Sequence, residues 1–426
     1  MITRLEINQI ASYIKIKKKL IFKGKNPELN IHSYLSNSDK LSFAKMQNIL
    51  FNKNLTKLIF MYLKNALSFF YYYKFTIHKS VVKNDNKKLI ITWGKLADFN
   101  NKGEFTDRYL GLKSKKEKNT LWVVQFDEKF LPTKIGKNII ILKQNTKKIF
   151  YFFHIFELFK NINNKFNFLE NVSSSTLYAL TFYDKINKEI KCNNISEVLI
   201  PYEGQLFQRY FIKKIKQKKL YVTGYIHTYP QPIPFNLFNH DLCSPNKLIV
   251  SSSSLKKTLI HFFKWKKNLI IIKNSMRFYK NKKIDMTKKI FLPYQINESD
   301  KLLLSFSNYL KKIKDHKLPD FQIMIHPAKI HQTDHILFKN KLQQIIINNK
   351  IKFTKNYKDK TAIFFGYTSA IIEALERGAN VVQICSEPIL EVYTPLFTHQ
   401  ISCKRINKFI YSYRINKKNS LIQMQK

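Results

Sequence analysis

The chain has 426 residues, of which 44% are hydrophobic and 14% aromatic, enough to bury cores in two domains of ordinary size and too apolar for global disorder. Only 9 glycines and 12 prolines exclude a collagen-like or flexible-linker chain. A net charge of +47 attracts nucleotides, anionic lipid and nucleic acid alike, so charge alone does not select a partner.

The form of that charge is more informative. Seven arginines stand against 68 lysines, in runs of no more than three, as at Lys17–Lys19. Lys, Asn and Ile are also the residues that an AT-biased coding sequence inflates. Basic tails come in longer blocks, and Arg is the preferred reader of bases and phosphates. A non-enzymatic nucleic-acid-binding protein is therefore the disfavoured alternative. Cys192, Cys243, Cys385 and Cys403 lie far apart without a CxxC pair, which predicts reduced thiols in a cytoplasmic protein rather than a disulfide scaffold or zinc ribbon.

The first twenty residues lack the uninterrupted apolar stretch of a signal peptide. Leu55–Tyr73 is apolar but interrupted by Lys57 and Lys64, which predicts a buried amphipathic helix rather than an interfacial anchor or a membrane span. Residues 1–85 are expected to be mostly helical, with no assigned role. From Lys88 the texture changes. Strands are predicted at 88–93, 120–126 and 138–142, and at 198–201 before a helix over 204–219. Another strand follows at 220–227. The aromatic run 150–156 is expected in a core. A stretch rich in Pro and Asn, 228–246, is expected to connect two domains. Beyond it, strands at 248–252, 269–272, 289–294, 321–325, 361–366 and 379–385 alternate with helices at 254–265, 299–313 and 368–377. Short, continuously apolar strands between amphipathic helices predict parallel sheets covered on both faces. The expected architecture is α/β: two Rossmann-like domains, 86–240 and 247–395, facing each other across a cleft, with a tail at 396–426.

In open α/β sheets ligands bind beyond the carboxyl ends of the strands, and several polar residues fall there. Glu203, in Pro201-Tyr202-Glu203-Gly204, can take a proton from an attacking hydroxyl; capping the following helix is the structural alternative. His227 ends the next strand in the same way. His326-Pro327 directly follows the strand at 321–325, where a histidine can donate to a phosphate and Pro327 fixes the turn. Gly366-Tyr367-Thr368-Ser369 joins a strand to a helix whose start offers free N–H groups to a phosphate, or is simply capped by Thr368 or Ser369. Glu373, one turn on, can accept from a ribose. Asp98, Asp107 and Arg108 form either an acceptor-side loop or an exposed turn. His331 and His335 have the spacing of helical metal ligands, but no third ligand or H-E-x-x-H pattern accompanies them, and no D-x-D element is present. No cofactor or metal is expected.

The order of Glu203-Gly204, His326-Pro327 and Thr368-Ser369 resembles that of bacterial sialyltransferases, and the second half resembles the donor domain of GT-B-type glycosyltransferases of surface polysaccharide biosynthesis. The resemblance implies a metal-independent transfer of a sialic-acid-like sugar from a CMP-linked nucleotide-sugar donor. The acceptor would be a hydroxyl of a surface glycan or lipid-linked molecule. Glu203 would be the base, His326 with Pro327 would hold the phosphate, and Tyr367, Thr368 and Ser369 would form the phosphate clamp. Tyr202 departs from the acidic residue found at that position. Gly224–Pro230 with the later His326-Pro327 also resembles polymerising glycerophosphotransferases, which would make His227 the base and the donor CDP-linked. The many lysines are expected to favour anionic donors and peripheral docking at the inner membrane face.

Overall fold

The computed structural model describes residues 74–82, 85–145, 174–191, 194–227, 240–261, 263–279, 285–294, 299–312, 321–349, 360–366, 370–385, 401–416 and 424–425, with isolated positions at 56, 59, 60, 63, 237, 296 and 368. Tyr367, Ser369, Cys192, most of 1–73 and the aromatic run 150–156 lie outside the described residues.

The protein is a mixed α/β structure with two large sheets. The first sheet has eight strands: β1 (Lys74–Lys79), β2 (Lys88–Gly94), β3 (Thr120–Phe126), β4 (Ile139–Asn145), β5 (Glu197–Pro201), β6 (Tyr221–Tyr225), β7 (Lys247–Val250) and β8 (Ile270–Ile272), in the order β1-β4-β3-β2-β5-β6-β7-β8. All neighbours are parallel except the edge pair β1–β4. Alternate residues enter opposite cores, as the two-residue period of a strand requires. Leu89, Ile91, Leu121, Val123, Ile140 and Leu142 face one core together with Phe182 and Ile186 of α1 (Ser174–Lys191) and Phe211 and Ile215 of α2 (Leu206–Gln217). Ile90, Trp122, Val124, Ile139 and Ile141 face the other, where Phe105 and Leu110 of the β2–β3 loop pack on them. Helix α3 (Ser253–His261) follows β7.

After β8, strand β9 (Ser275–Tyr279) leaves the first sheet, and the chain enters a second, six-stranded sheet. Its members are β10 (Lys289–Phe291), β11 (Gln322–Met324), β12 (Thr361–Phe365), β13 (Asn380–Ile384), β14 (Ile401–Asn407) and β15 (Ile410–Ile415), in the order β11-β10-β12-β13-β15-β14. Helices α4 (Ser299–Lys312) and α5 (Thr333–Asn348) cover one face through Phe306, Leu310, Phe338 and Leu342, which pack on Ile363, Phe365 and Ile384. On the other face, Ile371 and Leu375 of α6 (Ala370–Glu376) join Phe364 and Val381 in the same continuous core as the first sheet. Strand β16 (Met424–Gln425) returns to pair with β9.

Three expectations about domain limits are corrected. The first sheet begins at Lys74, inside the segment expected to be helical: Phe75 and Ile77 alternate into the core of KFTIHK. β7 and β8 belong to the first sheet, so 228–246 joins neighbours β6 and β7 instead of two domains. The expected tail contributes the β14–β15 hairpin, which closes an edge of the second sheet antiparallel to β13. Among the described residues no helix is long and apolar enough to cross a membrane.

Candidate functional site

The strand register places Glu203 beside His227. β5 and β6 run parallel with Pro201 opposite Tyr225, and the Tyr202 N–H continues the ladder to the Tyr225 carbonyl at 2.7 Å. Two residues past each strand end, His227 Nε2 lies 3.2 Å from Glu203 Oε1. The turn that presents Glu203 is locked from beneath by Gln208, which is fully buried. Its Oε1 accepts from the N–H groups of Glu203 (3.0 Å) and Gln205 (3.1 Å), and its Nε2 donates to the Pro201 carbonyl (2.7 Å). Gly204, at φ 72°, supplies the left-handed residue that this turn needs. Gly224 is required for a different reason: a Cβ there would lie 2.9 Å from Tyr202 Cβ and 2.9 Å from Pro245 Cγ.

Glu203 is the member of the pair that meets solvent: its side chain is 21% exposed against 4% for His227. Gln205 Nε2 donates to its second oxygen at 2.7 Å. Burial pushes the Glu203 carboxyl up, but the hydrogen bond and charge of His227, the bond from Gln205 and the Arg277 charge together hold it below its ordinary value. The site thus presents an ionised carboxylate at neutral pH. Two aromatic rings wall in His227: Tyr109 at 4.7 Å and Trp93 at 6.2 Å between centroids. Asp107 sets Tyr109, because its buried Oδ1 accepts the N–H groups of Tyr109 (2.7 Å) and Leu110. Arg108 instead forks onto Asp98 in a partly exposed pair. Tyr202, at the position where the resembled motif has an acid, is fully buried. Burial pushes its phenol up, so its role here is in the core.

The second sheet brings His326 to the end of β11 and Tyr294 just past β10, with ring centroids 5.3 Å apart. Lys329 Nζ stands 4.2 Å from the Tyr294 ring centroid. Pro327 is exposed and opens a short 3-10 turn through Lys329, whose N–H donates to the His326 carbonyl at 2.7 Å. The His326 imidazole is pushed down to about 4, first by burial and then by the charges of Lys95, Arg277, His335 and Lys329. Lys95 lies just beyond β2. Arg277 acts on groups of both sheets: Glu203 and Tyr109 of the first, His326 of the second. The start of β9 is held there by Tyr225, whose hydroxyl accepts the Met276 N–H at 3.0 Å and lies 3.4 Å from Ser275 Oγ.

The third motif is partly described. Thr368 Oγ1 accepts the Ala370 N–H at 3.2 Å, the capping arrangement. Glu373 Oε1 accepts from Arg377 Nε and Nη2, each at 3.0 Å, so that oxygen is engaged within its own helix. His331 is exposed while His335 is buried with Nε2 3.0 Å from the Pro293 carbonyl, so the two do not converge. Among the described residues no three His, Cys, Asp or Glu side chains group as ligands. Sequence reasoning missed Arg277, Trp93, Tyr109 and Lys95. Arg277 carried one signal, being one of seven arginines in a lysine-rich chain.

No protein-family model matches the chain. It is similar to the protein Ycf2 of Physcomitrium patens, with 26% identity over 248 residues; the match spans 56% of this chain and 10% of that protein's length. Solved structures similar to it include a glycosyltransferase from Rickettsia africae ESF-5, at 14% identity over 70% of this chain and 79% of that one, with a TM-score of 0.36. They also include a UDP-GlcNAc 2-epimerase from Neisseria meningitidis bound to UDP-GlcNAc, at 11% identity over 72% and 85%, with a TM-score of 0.39. A ugt transferase from Siraitia grosvenorii in complex with UDP is similar at 9% identity over 74% and 84%, with a TM-score of 0.34.

Proposed function

We propose that this protein is a glycosyltransferase that moves a sugar from a nucleotide-linked donor to an acceptor hydroxyl. The observation that carries the reading is the Glu203–His227 pair, a partly exposed carboxylate held at 3.2 Å by a buried imidazole, within electrostatic range of Arg277, which also acts on His326. A base set opposite cations suits a reaction in which a hydroxyl loses a proton while a phosphate leaves with negative charge.

In this mechanism the acceptor hydroxyl lies against Glu203 and gives up its proton to a carboxylate oxygen as its own oxygen bonds to the sugar's anomeric carbon. The bond from that carbon to the donor phosphate oxygen breaks, and the electron pair leaves with the nucleotide. His227 holds Glu203 in position. His326, neutral at pH 7 because its ring titrates at about 4, donates one N–H to the departing phosphate. Thr368 and Ser369, with Tyr367, belong to the same phosphate subsite by motif order, and Pro327 orients His326. The motif order favours a CMP-linked, sialic-acid-like sugar and a glycan or lipid-linked acceptor at the inner membrane face. The glycerophosphate alternative replaces the sugar donor by a CDP-linked one.

The test is a thermal-shift titration with CMP, CDP, UDP, GDP and ADP. A nucleotide at about 100 times its dissociation constant adds about 2.7 kcal/mol of stability. Stabilisation by a nucleotide that weakens in His326→Ala supports the reading, and indifference to all five contradicts it.

A further inference from the structure

Six large apolar side chains from the helices and loops over the second sheet are open to solvent: Tyr294, Leu304, Ile330, Ile336, Leu337 and Ile347. Three of them belong to α5, which is apolar on two sides. Its Phe338, Leu342 and Ile346 enter the core. At 3.6 residues per turn, the exposed Ile336, Leu337, Asn340, Gln343, Gln344 and Ile347 share an arc of about 120° on the opposite side. None of these six is charged, in a chain with 75 basic and 28 acidic residues. A surface helix carries its charges outward, and exposed aliphatics with no charge among them mark a contact surface. Lysines border this arc, with Lys339 on one flank and Lys341 on the other. The outer face of α4 lies alongside, because both helices cover the same face of the sheet. There the exposed Leu304 stands among Lys301, Lys311 and Lys312. Lys341 Nζ reaches Asp300 Oδ1 at 3.8 Å and joins the two helices across the surface. The other carboxylate of these helices, Asp334, sits in the first turn of α5, outside the arc. Ile330 carries the surface to the turn of His326, whose carbonyl accepts the Lys329 N–H at 2.7 Å.

We propose that the outer face of α4 and α5 docks on an anionic lipid bilayer. Leu304, Ile336, Leu337 and Ile347 enter the boundary between headgroups and acyl chains, and the bordering lysines rest among the lipid phosphates. Charge decides between the occupants that such a face could take. Two copies of a chain carrying +47 repel each other. A negative bilayer attracts the same chain, and each lysine brought near it strengthens binding about fivefold. The lysines dispersed over the rest of the chain supply attraction without direction. The α4–α5 face supplies the direction, because there aliphatic side chains and lysines share one surface, and docking by it brings the turn at 326–332 to the lipid. The docking surface goes beyond the glycosyltransferase reading and stands without it.

The experiment mixes the full chain with vesicles of phosphatidylcholine alone and of equimolar phosphatidylcholine and phosphatidylglycerol, and reads binding by co-sedimentation. Docking predicts binding to the anionic vesicles that weakens at least about tenfold when Leu337→Gln and Ile347→Gln are combined. That double variant changes no charge and should keep the wild-type urea midpoint. The control combines Val81→Gln with Phe130→Gln, side chains 70% and 68% exposed against 54% for Leu337 and 71% for Ile347. It should bind as the wild type does, whereas attraction by lysines alone would treat the two pairs alike. Insertion is read separately from Leu337→Trp, whose added emission should move to shorter wavelength on anionic vesicles while that of Phe130→Trp does not. Equal binding by the two double variants, an unshifted Leu337→Trp, or no binding to anionic vesicles overturns the proposal. A dimer in sedimentation velocity that dissociates when Leu337→Gln and Ile347→Gln are combined also overturns it, by assigning the face to a second copy. Docking by this face in a protein that transfers no sugar would leave the surface standing and remove the glycosyltransferase reading. Sugar transfer without vesicle binding would do the reverse.

Discussion

Removing the His227 imidazole while keeping a ring in its place is the sharpest perturbation of the site. His227→Phe preserves packing against Tyr109 and Trp93, each worth about 0.5–1.5 kcal/mol as an aromatic pair, and deletes only the contact to Glu203 Oε1. Breaking a fully buried ion pair costs about 3–5 kcal/mol. Glu203 is 21% exposed and retains the Gln205 bond, so a loss of about 2 kcal/mol is expected. Glu203→Gln should cost about 1–2 kcal/mol, since a neutral amide keeps part of the hydrogen bonding. Urea denaturation at pH 7 of the wild type, both single variants and the double variant isolates the pair, with a coupling of about 1–2 kcal/mol expected. The acid limb gives an independent readout. Glu203 is held below its ordinary value of 4.5, so its contribution is complete above 4.5 and is lost as pH falls through the folded value. In His227→Phe the two strongest influences opposing burial are gone and the carboxyl rises, so the stability lost on acidification below 4.5 should shrink. A coupling within about 0.3 kcal/mol of zero would refute the pairing as an energetic unit.

His326 should show a pH dependence of the same sign at higher pH. Its ring binds a proton at about 4 when folded against 6.5 otherwise, so stability should rise with pH across that window in wild type but not in His326→Gln. Lys95, Arg277, Lys329 and His335 are the charges facing it. Gly224→Ala should destabilise by about 1–3 kcal/mol through overpacking, read as a lowered urea midpoint, because the new Cβ meets Tyr202 and Pro245 at 2.9 Å. Asp107→Ala should cost about 1–3 kcal/mol by leaving the Tyr109 and Leu110 N–H groups unpaired. Asp107→Asn, which keeps an acceptor oxygen, should cost under about 1 kcal/mol in the same assay.

The central strands of the first sheet were legible because both of its faces are buried, which gives β3 an apolar run from Leu121 to Val124 in a strand buried at every position. Glu203 and His227 were legible individually as strand-end residues. Their pairing was not, because it depends on the register of β5 against β6 and on Gln208 locking the turn from a position five residues on. The domain limits misled for a related reason: a Pro- and Asn-rich stretch signals a break in secondary structure, but sheet membership is decided by pairing across space, and β7 pairs with β6 despite the long connection. The β14–β15 hairpin alternates buried and open positions, as in Tyr411, Ser412, Tyr413 and Arg414, around a Lys408-Phe409 turn without glycine, and so lacks the usual turn signal. Trp93 and Tyr109 were invisible, since only the fold brings their rings against His227.

The central claim is that Glu203 takes a proton from an acceptor hydroxyl during transfer from a nucleotide-linked donor. It is tested most directly by measuring nucleotide release from a panel of nucleotide sugars, with lipid and glycan acceptors present, for the wild type and Glu203→Gln. The account predicts acceptor-dependent turnover that falls by about 10²–10⁴-fold in Glu203→Gln, the range for loss of a general base, with nucleotide binding retained. Turnover undiminished in Glu203→Gln would contradict it.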